Sequence, residues 1–312
     1  MVISLMNKTM KHREKKITIV IPNWNGHKDT LECLDSLQQL TYTNYEIVVI
    51  DNGSTDGSAA IIRESNPEVM IVELQENTGF TGACNEGIKY AIEAGAEYVF
   101  LLNNDTVLND DDLLEKMSEY LENNLDVGML APVTLYHETN KIWFSGGELE
   151  RNTGILKLWD QGEEYIKHDA VNCTFLVGCA LFLKTDLIQK IGGFYWPYFL
   201  TSEESELCVN IMDRGYKLAI LRNVSLFHKV SRSMGEQSPL LTYFLYRNKL
   251  LFAKRNRINF TVFDLCKILK YYVKGFLSSI KRGNFRAAMG VVLGVWDFVL
   301  GKYGKGYYEG EL

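Results

Sequence analysis

The sequence predicts an α/β fold in which a mostly parallel sheet is flanked by helices and followed by a C-terminal helical extension. Three observations predict it. Short apolar segments rich in Val and Ile alternate with longer segments of helical periodicity, three of the apolar segments end in polar loops, and residues 241–312 show helical periodicity only. Strands that alternate with helices form parallel sheets, because each helix returns the chain to the start of the next strand.

Each predicted strand is a short apolar run, and clusters of Gly, Asn and Asp end most of these runs, as in turns. The strands are expected at 17–22, 45–50, 69–74, 97–102, 128–132, 174–183 and 217–221. The helices are expected at 28–39, 57–65, 81–94, 110–123 and 203–214, with a hairpin around 151–154. The chain thus divides into a basic segment at 1–16, an α/β domain at 17–240 and a basic amphipathic helical region at 241–312.

The composition limits the class of protein. With 46% hydrophobic residues and five prolines among 312 residues, the chain can bury a large core. Its six cysteines form no CxxC pair, which excludes a zinc ribbon and favours reduced thiols in a cytosolic protein. The first sixteen residues are basic and lack the apolar segment of a signal peptide. We therefore expect a globular, cytoplasmic protein.

Three predicted strands end in polar loops, which begin at Pro22-Asn23-Trp24, at Asp51 and at Asn103-Asn104-Asp105. Ligands of parallel α/β sheets bind just beyond the carboxyl ends of the strands, which meet at one edge. A carboxylate flanked by two amides suits a divalent cation and the phosphates that it carries. The competing interpretation is three unrelated turns, in which Asn and Asp are common.

Further segments accompany these loops in a fixed order. They are IVIPNWNG (19–26), VVIDNGSTDGS (48–58), NTGFTGACNEGI (77–88), LLNNDT (101–106), FLVGCALFLK (175–184), IGGFYWPYF (191–199), EESELC (203–208) and LFHKVSRS (226–233). Their order and spacing over residues 17–233 resemble the inverting glycosyltransferases of family 2, most of all the rhamnosyltransferase-like bacterial and archaeal branch. The resemblance implies the GT-A fold, in which a Rossmann-like sheet binds a nucleotide-diphosphate sugar.

The resemblance assigns a donor site. Pro22 and Trp24 would lie along the base and ribose, and Asp51 would accept a hydrogen bond from the imide N–H of uracil or thymine. Further positions beside the donor nucleotide would be Asn77, Gly79, Asn85, Asn103 and Asn104. Asn77 and Gly79 are equally compatible with a plain turn before the next helix.

The resemblance also implies a metal site for Mg²⁺ or Mn²⁺. The family motif is Asp-x-Asp or a version in which only the last Asp remains, and Asn103 stands at the first position here. We therefore expect Asp105 and the diphosphate itself to hold the cation. A histidine after the last core strand adds a ligand in the family, and His228 matches it. Taken alone, a single histidine is more often structural or merely exposed.

The catalytic base is expected at the start of the helix at 203–214. The family usually has Glu-Asp-x-Asp-Leu there, with the Asp of the leading pair as general base, so Glu204 aligns with the base. Both family aspartates are glutamates in this chain, which makes Glu203 a competitor. An acidic first turn favoured by the helix dipole is the simpler interpretation. Gly178 matches a glycine loop that lets the acceptor or donor approach the backbone.

The C-terminal region is basic. From Arg247 to the end there are 13 Lys and Arg against 4 Asp and Glu, or +9, so residues 1–246 carry −6 − 9 = −15. Between 262 and 282 one face is expected to hold Leu265, Ile268, Leu269, Tyr272, Phe276 and Ile280, opposite Lys267, Lys270, Lys274 and Lys281. This pattern is typical of an interfacial helix on an anionic membrane, and equally of a helix packed on its own domain.

The leading hypothesis is a transferase that uses a nucleotide-diphosphate sugar, either dTDP-rhamnose or a UDP-sugar, at the inner face of the plasma membrane. Its acceptor would be a glycan or a lipid-linked saccharide, and no nucleic-acid partner is expected. A nucleotidyltransferase is a second hypothesis, but residues 17–30 lack a phosphate loop rich in glycine and arginine. A third is a non-catalytic nucleotide-sugar-binding protein, against which the three carboxylates at 203–206 argue.

Overall fold

A ten-stranded sheet lies at the centre of the computed structural model, which describes residues 14–137, 139–230 and 238–309. The strands are β1 (Ile17–Asn23), β2 (Tyr45–Asp51), β3 (Met70–Glu73), β4 (Tyr98–Leu102), β5 (Thr106–Leu108), β6 (Val127–Tyr136), β7 (Ile142–Phe144), β8 (Gly147–Glu150), β9 (Ile155–Leu158), β10 (Val171–Cys173), β11 (Ala180–Lys184) and β12 (Lys217–His228). β8 and β9 form a separate hairpin, as predicted around 151–154.

Helices flank the sheet and form the C-terminal region. They are α1 (His27–Leu37), α2 (Ser58–Ser65), α3 (Gly79–Glu93), α4 (Leu113–Asn123), α5 (Thr185–Ile191), α6 (Glu203–Met212), α7 (Pro239–Asn256), α8 (Val262–Lys281) and α9 (Phe285–Leu300). Short 3₁₀ turns lie at Trp196–Tyr198 and Gly306–Tyr308.

One half of the sheet is parallel, as predicted. β1 pairs in parallel with β2 and β4, and β2 pairs in parallel with β3, so the carboxyl ends of these strands lie at one edge. Side chains alternate between two hydrophobic clusters, one containing Val20 and the other containing Ile19 and Ile21. All three are fully buried. Burial on both faces explains why these strands read as continuous apolar runs in the sequence.

The strand predicted at 174–183 is shorter in the structure, where only its end, from Ala180, belongs to a strand. β10 and β11 are separate strands, and the residues between them pair only through an isolated bridge of Gly147 with Phe175. Phe175 and Leu176 are apolar because they are buried in the core, and not because they belong to a ladder. β11 runs antiparallel between β4 and β6 and so joins the two halves of the sheet.

The last core strand is longer than predicted. β12 continues past Leu221 to His228, and its pairing with β6 shifts register between Leu221 and Ser225. The polar pair Arg222-Asn223 at this irregularity resembles a turn in the sequence. The end of β12 also pairs with β5, a strand too short to be predicted, which sets Thr106 opposite His228. This pairing brings the end of β12 to the loop that follows β4.

The C-terminal helices pack on the α/β domain, and the predicted boundary at 240/241 falls inside α7. α9 lies close against α7 at Gly290 and Gly294, where an added Cβ would come within 2.7 Å of the carbonyl oxygens of Pro239 and Tyr243. None of the described helices is long and apolar enough to cross a membrane. Most of the basic segment at 1–16 lies outside the described residues.

Candidate active site

A cavity of about 250 Å³ opens at the carboxyl edge of the parallel strands. It brings together most of the residues that the sequence predicts for the donor and metal sites. Its lining includes Pro22, Trp24, Asn77, Gly79, Asn103, Asn104, Asp105 and His228. Asp51, Asn85, Gly178, Glu203 and Glu204 are not part of its wall.

Asp105 and His228 face each other in this cavity. The Nε2 atom of His228 lies 3.1 Å from Oδ1 of Asp105, and each residue is only 6% exposed. The pairing of β5 with β12 fixes this distance, because it aligns the residue after Asp105 with His228. The ring of Trp143 packs edge-on against the imidazole, with 4.6 Å between centroids.

These residues fit a divalent cation. Besides the Asp105 carboxylate, Asn103 Oδ1 is a buried oxygen that finds no hydrogen-bond partner within the described part of the chain. Carboxylate and amide oxygens suit Mg²⁺ and Mn²⁺, and the imidazole of His228 is a ligand for transition metals. The described residues contain no group of three or more His, Cys, Asp or Glu side chains able to hold a metal. A cation here would therefore need diphosphate or water oxygens to complete its ligands.

Asp51 is buried and contacts Asn23, a residue of the cavity wall. The β1–β2 register sets Asn23 opposite Asp51, and Asn23 Nδ2 donates to Asp51 Oδ1 at 2.7 Å. The hydroxyl of Ser54 donates to the same oxygen at 2.6 Å, and the Ser54 backbone N–H donates to Oδ2 at 3.2 Å. Because a carboxylate accepts about four hydrogen bonds, one place remains for a ligand.

Asn52 is a cavity residue that sequence reasoning missed, although its position directly after a strand end is a signal. Its Nδ2 donates to Asn77 Oδ1 at 3.0 Å and to the Gly79 carbonyl at 3.1 Å, and its Oδ1 accepts from the Thr78 N–H at 2.9 Å. Gly79 has a φ of +76°, and an added Cβ would lie 2.4 Å from the carbonyl oxygen of Phe199. The segment is thus both a turn and a cavity wall.

Asn85 was predicted beside the donor, but the structure does not bring it to the cavity. Its Oδ1 accepts from the N–H of Phe194 at 2.8 Å, and its Nδ2 donates to the Phe194 carbonyl at 2.9 Å. Both ends of the amide are therefore occupied by backbone. Asn85 ties α3 to the segment that precedes the 3₁₀ turn at Trp196–Tyr198.

Glu203 and Glu204 form a pair at the start of α6, in which Glu203 is buried and Glu204 is half-buried. Glu203 is 4% exposed, and Oε2 of each carboxyl group is a buried atom with no hydrogen-bond partner among the described residues. Burial raises the pKa of Glu203 well above its usual range, and the neighbouring charge of Glu204 raises it further. Burial also raises the pKa of Glu204, but backbone N–H groups and a hydrogen bond from Glu203 lower it. The surroundings therefore favour the neutral form more strongly at Glu203 than at Glu204, which makes Glu204 the better candidate for a charged base.

Glu204 lies next to the cavity. An added Cβ on Gly178 would lie 3.7 Å from the Cβ of Glu204 and 3.7 Å from Cε1 of Phe80, a ring of the cavity wall. Lys249 of α7 faces Glu204 and favours its charged form. Burial lowers the pKa of Lys249 itself to about 8. The cavity thus has a candidate metal site formed by Asp105 and His228, and a candidate base beside Gly178 and Phe80.

The C-terminal region supplies one wall of the cavity, which the sequence did not reveal. Leu240, Leu241 and Phe244 of α7 line it. Phe244 stacks on Phe199, with 5.2 Å between ring centroids. α7 is therefore part of the candidate site.

Comparison with known proteins agrees with this geometry. The sequence matches the family model described as glycosyl transferase family 2 over residues 18–192, which is more than half of the chain. An uncharacterized glycosyltransferase of Escherichia coli (strain K12) is 32% identical over 151 residues, covering 47% of this chain and 43% of that protein. A poly-beta-1,6-N-acetyl-D-glucosamine synthase of Staphylococcus epidermidis is 33% identical over 122 residues, covering 38% of this chain and 29% of the synthase. The match thus spans less than half the length of either relative.

A solved structure shares the fold over almost the whole chain. The mannosyltransferase PcManGT from Pyrobaculum calidifontis, in complex with GDP-Man and Mn²⁺, covers 93% of this chain and 76% of its own with a TM-score of 0.59 and 18% identity. This likeness confirms the predicted GT-A fold. Because the family model also matches more than half of the residues of the chain, the chain belongs to glycosyl transferase family 2.

Proposed function

We propose that the protein transfers a sugar, with inversion, from a nucleotide-diphosphate sugar to a hydroxyl group of a glycan or lipid-linked saccharide. The observation that carries this proposal is the placement of Asp105 and His228, 3.1 Å apart, in the same cavity beside which Glu204 lies. Inverting transfer needs a place for the leaving diphosphate and a base for the acceptor hydroxyl. The relatives described above are glycosyltransferases and a polysaccharide synthase, which supports the reaction class.

Asp105 and His228 would hold Mg²⁺ or Mn²⁺ together with the donor diphosphate. A cation bound there would neutralise the charge that develops on the diphosphate as it leaves. The Mn²⁺ in the mannosyltransferase complex supports a divalent cation. Asn103 at the same loop would add its amide oxygen to the cation. Asn104 also lines the cavity, and its amide donates to the Thr30 hydroxyl at 3.0 Å, which holds the loop against α1.

The donor nucleoside would lie against Pro22 and Trp24. A base with an imide N–H, uracil or thymine, would donate to the remaining acceptor position of Asp51. The finer proposal is therefore a UDP-sugar or dTDP-rhamnose as donor, the latter supported by the motifs shared with rhamnosyltransferase-like proteins. Asn77 and Gly79 would bound the nucleotide on the side of α3.

Nucleotide release separates this function from its two competitors. Wild-type protein mixed with Mn²⁺, a panel of UDP- and dTDP-sugars and a saccharide acceptor should release free nucleotide diphosphate. A nucleotidyltransferase would release no nucleotide diphosphate from this mixture, and would instead form a nucleotide-diphosphate sugar and pyrophosphate from a nucleoside triphosphate and a sugar 1-phosphate. A binding protein would show ligand-dependent thermal stabilisation without any release.

We further propose that an outer face of α8 and α9 docks on an anionic membrane. The face consists of the exposed large apolar side chains of α8 and α9, each 37% to 78% exposed: Val262, Phe263, Leu265, Leu269, Val273, Leu277, Ile280, Phe285, Met289, Val292, Trp296, Val299 and Leu300. Of the apolar residues predicted to share one face of α8, Ile268 and Tyr272 are buried instead. So many exposed apolar side chains on two helices that contact each other indicate an interaction site.

The charges around the outer face favour lipid as the occupant. The only acids in residues 257–308 are Asp264 and Asp297, and both are buried. Asp264 accepts hydrogen bonds from Thr261, and Asp297 accepts one from Tyr243. The exposed charges near the face are therefore cationic: Lys270, Lys274, Lys281, Arg282 and Arg286. An apolar face bordered by cations complements anionic headgroups, which attract each Lys or Arg by about 1 kcal/mol.

Vesicle binding is expected to depend on both charge and the outer face. Wild type should sediment with phosphatidylglycerol-containing vesicles at low salt and only weakly with pure phosphatidylcholine. Changing Val292 and Trp296 together to Asp should lower this binding at least about tenfold, because their burial is worth roughly 1.5–3 kcal/mol each. The matched control is Ile166→Asp, which alters an equally exposed residue of the α/β domain.

Failure of wild type to bind anionic vesicles would leave the outer face without a lipid role. A dimer that the double variant abolishes would assign the face to a second copy of the chain. Truncation near residue 245 is a poorer test, because it would remove most of α7, which borders the cavity.

A further inference from the structure

The loop that leads into the candidate base has an unusual backbone. Phe199, Thr201 and Ser202 have φ values of +65°, +66° and +69°, although none is glycine. Residues other than glycine adopt a positive φ of this size only where surrounding contacts impose it. The next residue after Ser202 begins α6, so the loop conformation fixes where Glu203 and Glu204 lie.

Two adjacent residues of α7 hold this loop by its carbonyl groups. Asn248 Nδ2 donates to the carbonyl oxygens of Tyr198, Leu200 and Thr201 at 2.8, 2.6 and 3.0 Å. Arg247 Nη2 donates to the carbonyl oxygens of Pro197 at 3.2 Å and Tyr198 at 2.9 Å. Both Arg247 and Asn248 are fully buried.

Arg247 and Asn248 are themselves held in place. Arg247 Nε donates to Asn248 Oδ1 at 2.9 Å, which orients the amide so that its N–H groups face the loop. Arg247 Nη1 donates to the Gly304 carbonyl at 2.7 Å and to the Tyr243 hydroxyl at 3.3 Å. The Tyr243 hydroxyl in turn donates to Asp297 of α9 at 2.6 Å. A buried network of this kind, fully hydrogen-bonded, specifies one arrangement.

The same loop also contacts the cavity. Phe199 and Leu200 line it, and the Phe199 carbonyl accepts the N–H of Thr81 at 3.2 Å, near the start of α3. The loop therefore links the cavity wall to the helix that carries Glu204.

We propose that Arg247 and Asn248 are positioning residues for Glu204, which act by holding the loop at 197–202 in its left-handed conformation. This proposal rests on the function proposed above for Glu204. It makes the C-terminal region a part of the catalytic apparatus, beyond its proposed role at the membrane. Neither residue lines the cavity, although the Arg247 guanidinium also lies over the ring of Phe244 in its wall, 4.9 Å from the ring centroid.

The test compares Asn248→Ala with Val291→Ala, a buried residue of α9 that lies outside this network. At an assay temperature well below the melting temperature of the variant, Asn248→Ala should lower kcat about 10- to 100-fold. The donor KM should change less than about threefold. The acid limb of kcat should also move to lower pH, because a loosened loop admits water to Glu204 and removes the burial that raises its pKa. The other titratable groups that face Glu204 are Glu203, Lys249 and the thiols of Cys179 and Cys208. The substitution leaves these groups in the protein, so the shift of the acid limb is assigned to the burial of Glu204.

Val291→Ala should lower the melting temperature without changing kcat or the pH profile. If Asn248→Ala does not fold, Asn248→Ser, whose hydroxyl donates to one carbonyl only, takes its place. An Asn248 variant with the kcat and pH profile of the wild type would overturn the positioning role. Full turnover of Glu204→Gln would instead contradict the proposed function of Glu204 itself. The Asn248 and Glu204 variants thus test the positioning role and the proposed function separately.

Discussion

Glu204→Gln is expected to lower turnover by about 10²–10⁴-fold, the usual contribution of general-base catalysis. The amide keeps the size of the side chain but cannot accept the proton of the acceptor hydroxyl. Donor affinity should survive, because Glu204 is not part of the cavity wall. Nucleotide release measures the turnover, and titration calorimetry with the nucleotide diphosphate measures the affinity.

Glu203→Gln is the matched variant, and it should reduce turnover less. Its surroundings favour the neutral form of Glu203, and a neutral amide in its place can still donate a hydrogen bond to Glu204. If Glu203→Gln abolishes turnover while Glu204→Gln retains it, the roles are exchanged. Unchanged turnover in both variants would mean that neither residue is the general base and that the pair only begins a helix with acidic residues.

The pH dependence of the wild type adds a check on the same residue. Burial raises the pKa of Glu204, and the base must be ionised to act. Turnover should therefore be constant at high pH and fall as the pH drops through a value above the range of an ordinary glutamate, about 4.3. This limb should disappear from the residual activity of Glu204→Gln.

Asp105→Ala is expected to remove the dependence on divalent cation together with nearly all activity. Asn103 cannot replace the lost charge, and the remaining candidate ligand, His228, is neutral when it binds a metal. Metal stabilisation of a leaving diphosphate is worth several kcal/mol, so the loss should be on the order of 10³-fold. Calorimetry should show that Mn²⁺ no longer strengthens binding of the nucleotide diphosphate.

Asp186→Ala serves as the control for this variant, because it removes an exposed carboxylate that pairs with Lys190 on the surface. It should leave both turnover and metal dependence unchanged. Full activity of Asp105→Ala in the presence of EDTA would mean that Asp105 is only a turn residue.

The sequence by itself determined the parallel half of the sheet and the place of the donor cavity. Apolar β-branched runs mark the strands, and polar residues directly after them mark the loops. Because the carboxyl ends of parallel strands share an edge, Pro22, Trp24 and Asp105 could be placed together from local patterns alone. The family motifs added His228, and the distance of 3.1 Å to Asp105 agrees with that placement.

Short or irregular strands could not be predicted from the sequence. β5 has only three residues, and the bulge in β12 resembles a turn, so the pairing that fixes His228 against Asp105 left no local signal. Asn85 shows the same limit in another way. Its position in a family motif predicts a donor contact. In the structure, however, the backbone of Phe194, 109 residues further along the chain, occupies the hydrogen-bonding groups of its side-chain amide.

Only the tertiary structure decided the role of the C-terminal region. α7 is buried on several sides, so its sequence lacks a single apolar stripe that would indicate its partners. The contacts of Asn248 with the loop before Glu203 join residues that are 47 to 50 positions apart. Periodicity reveals which side of a helix is buried, but the element that buries it is chosen by packing between distant segments. For this reason the sequence could place the carboxylates of the candidate site but not the helix that holds them.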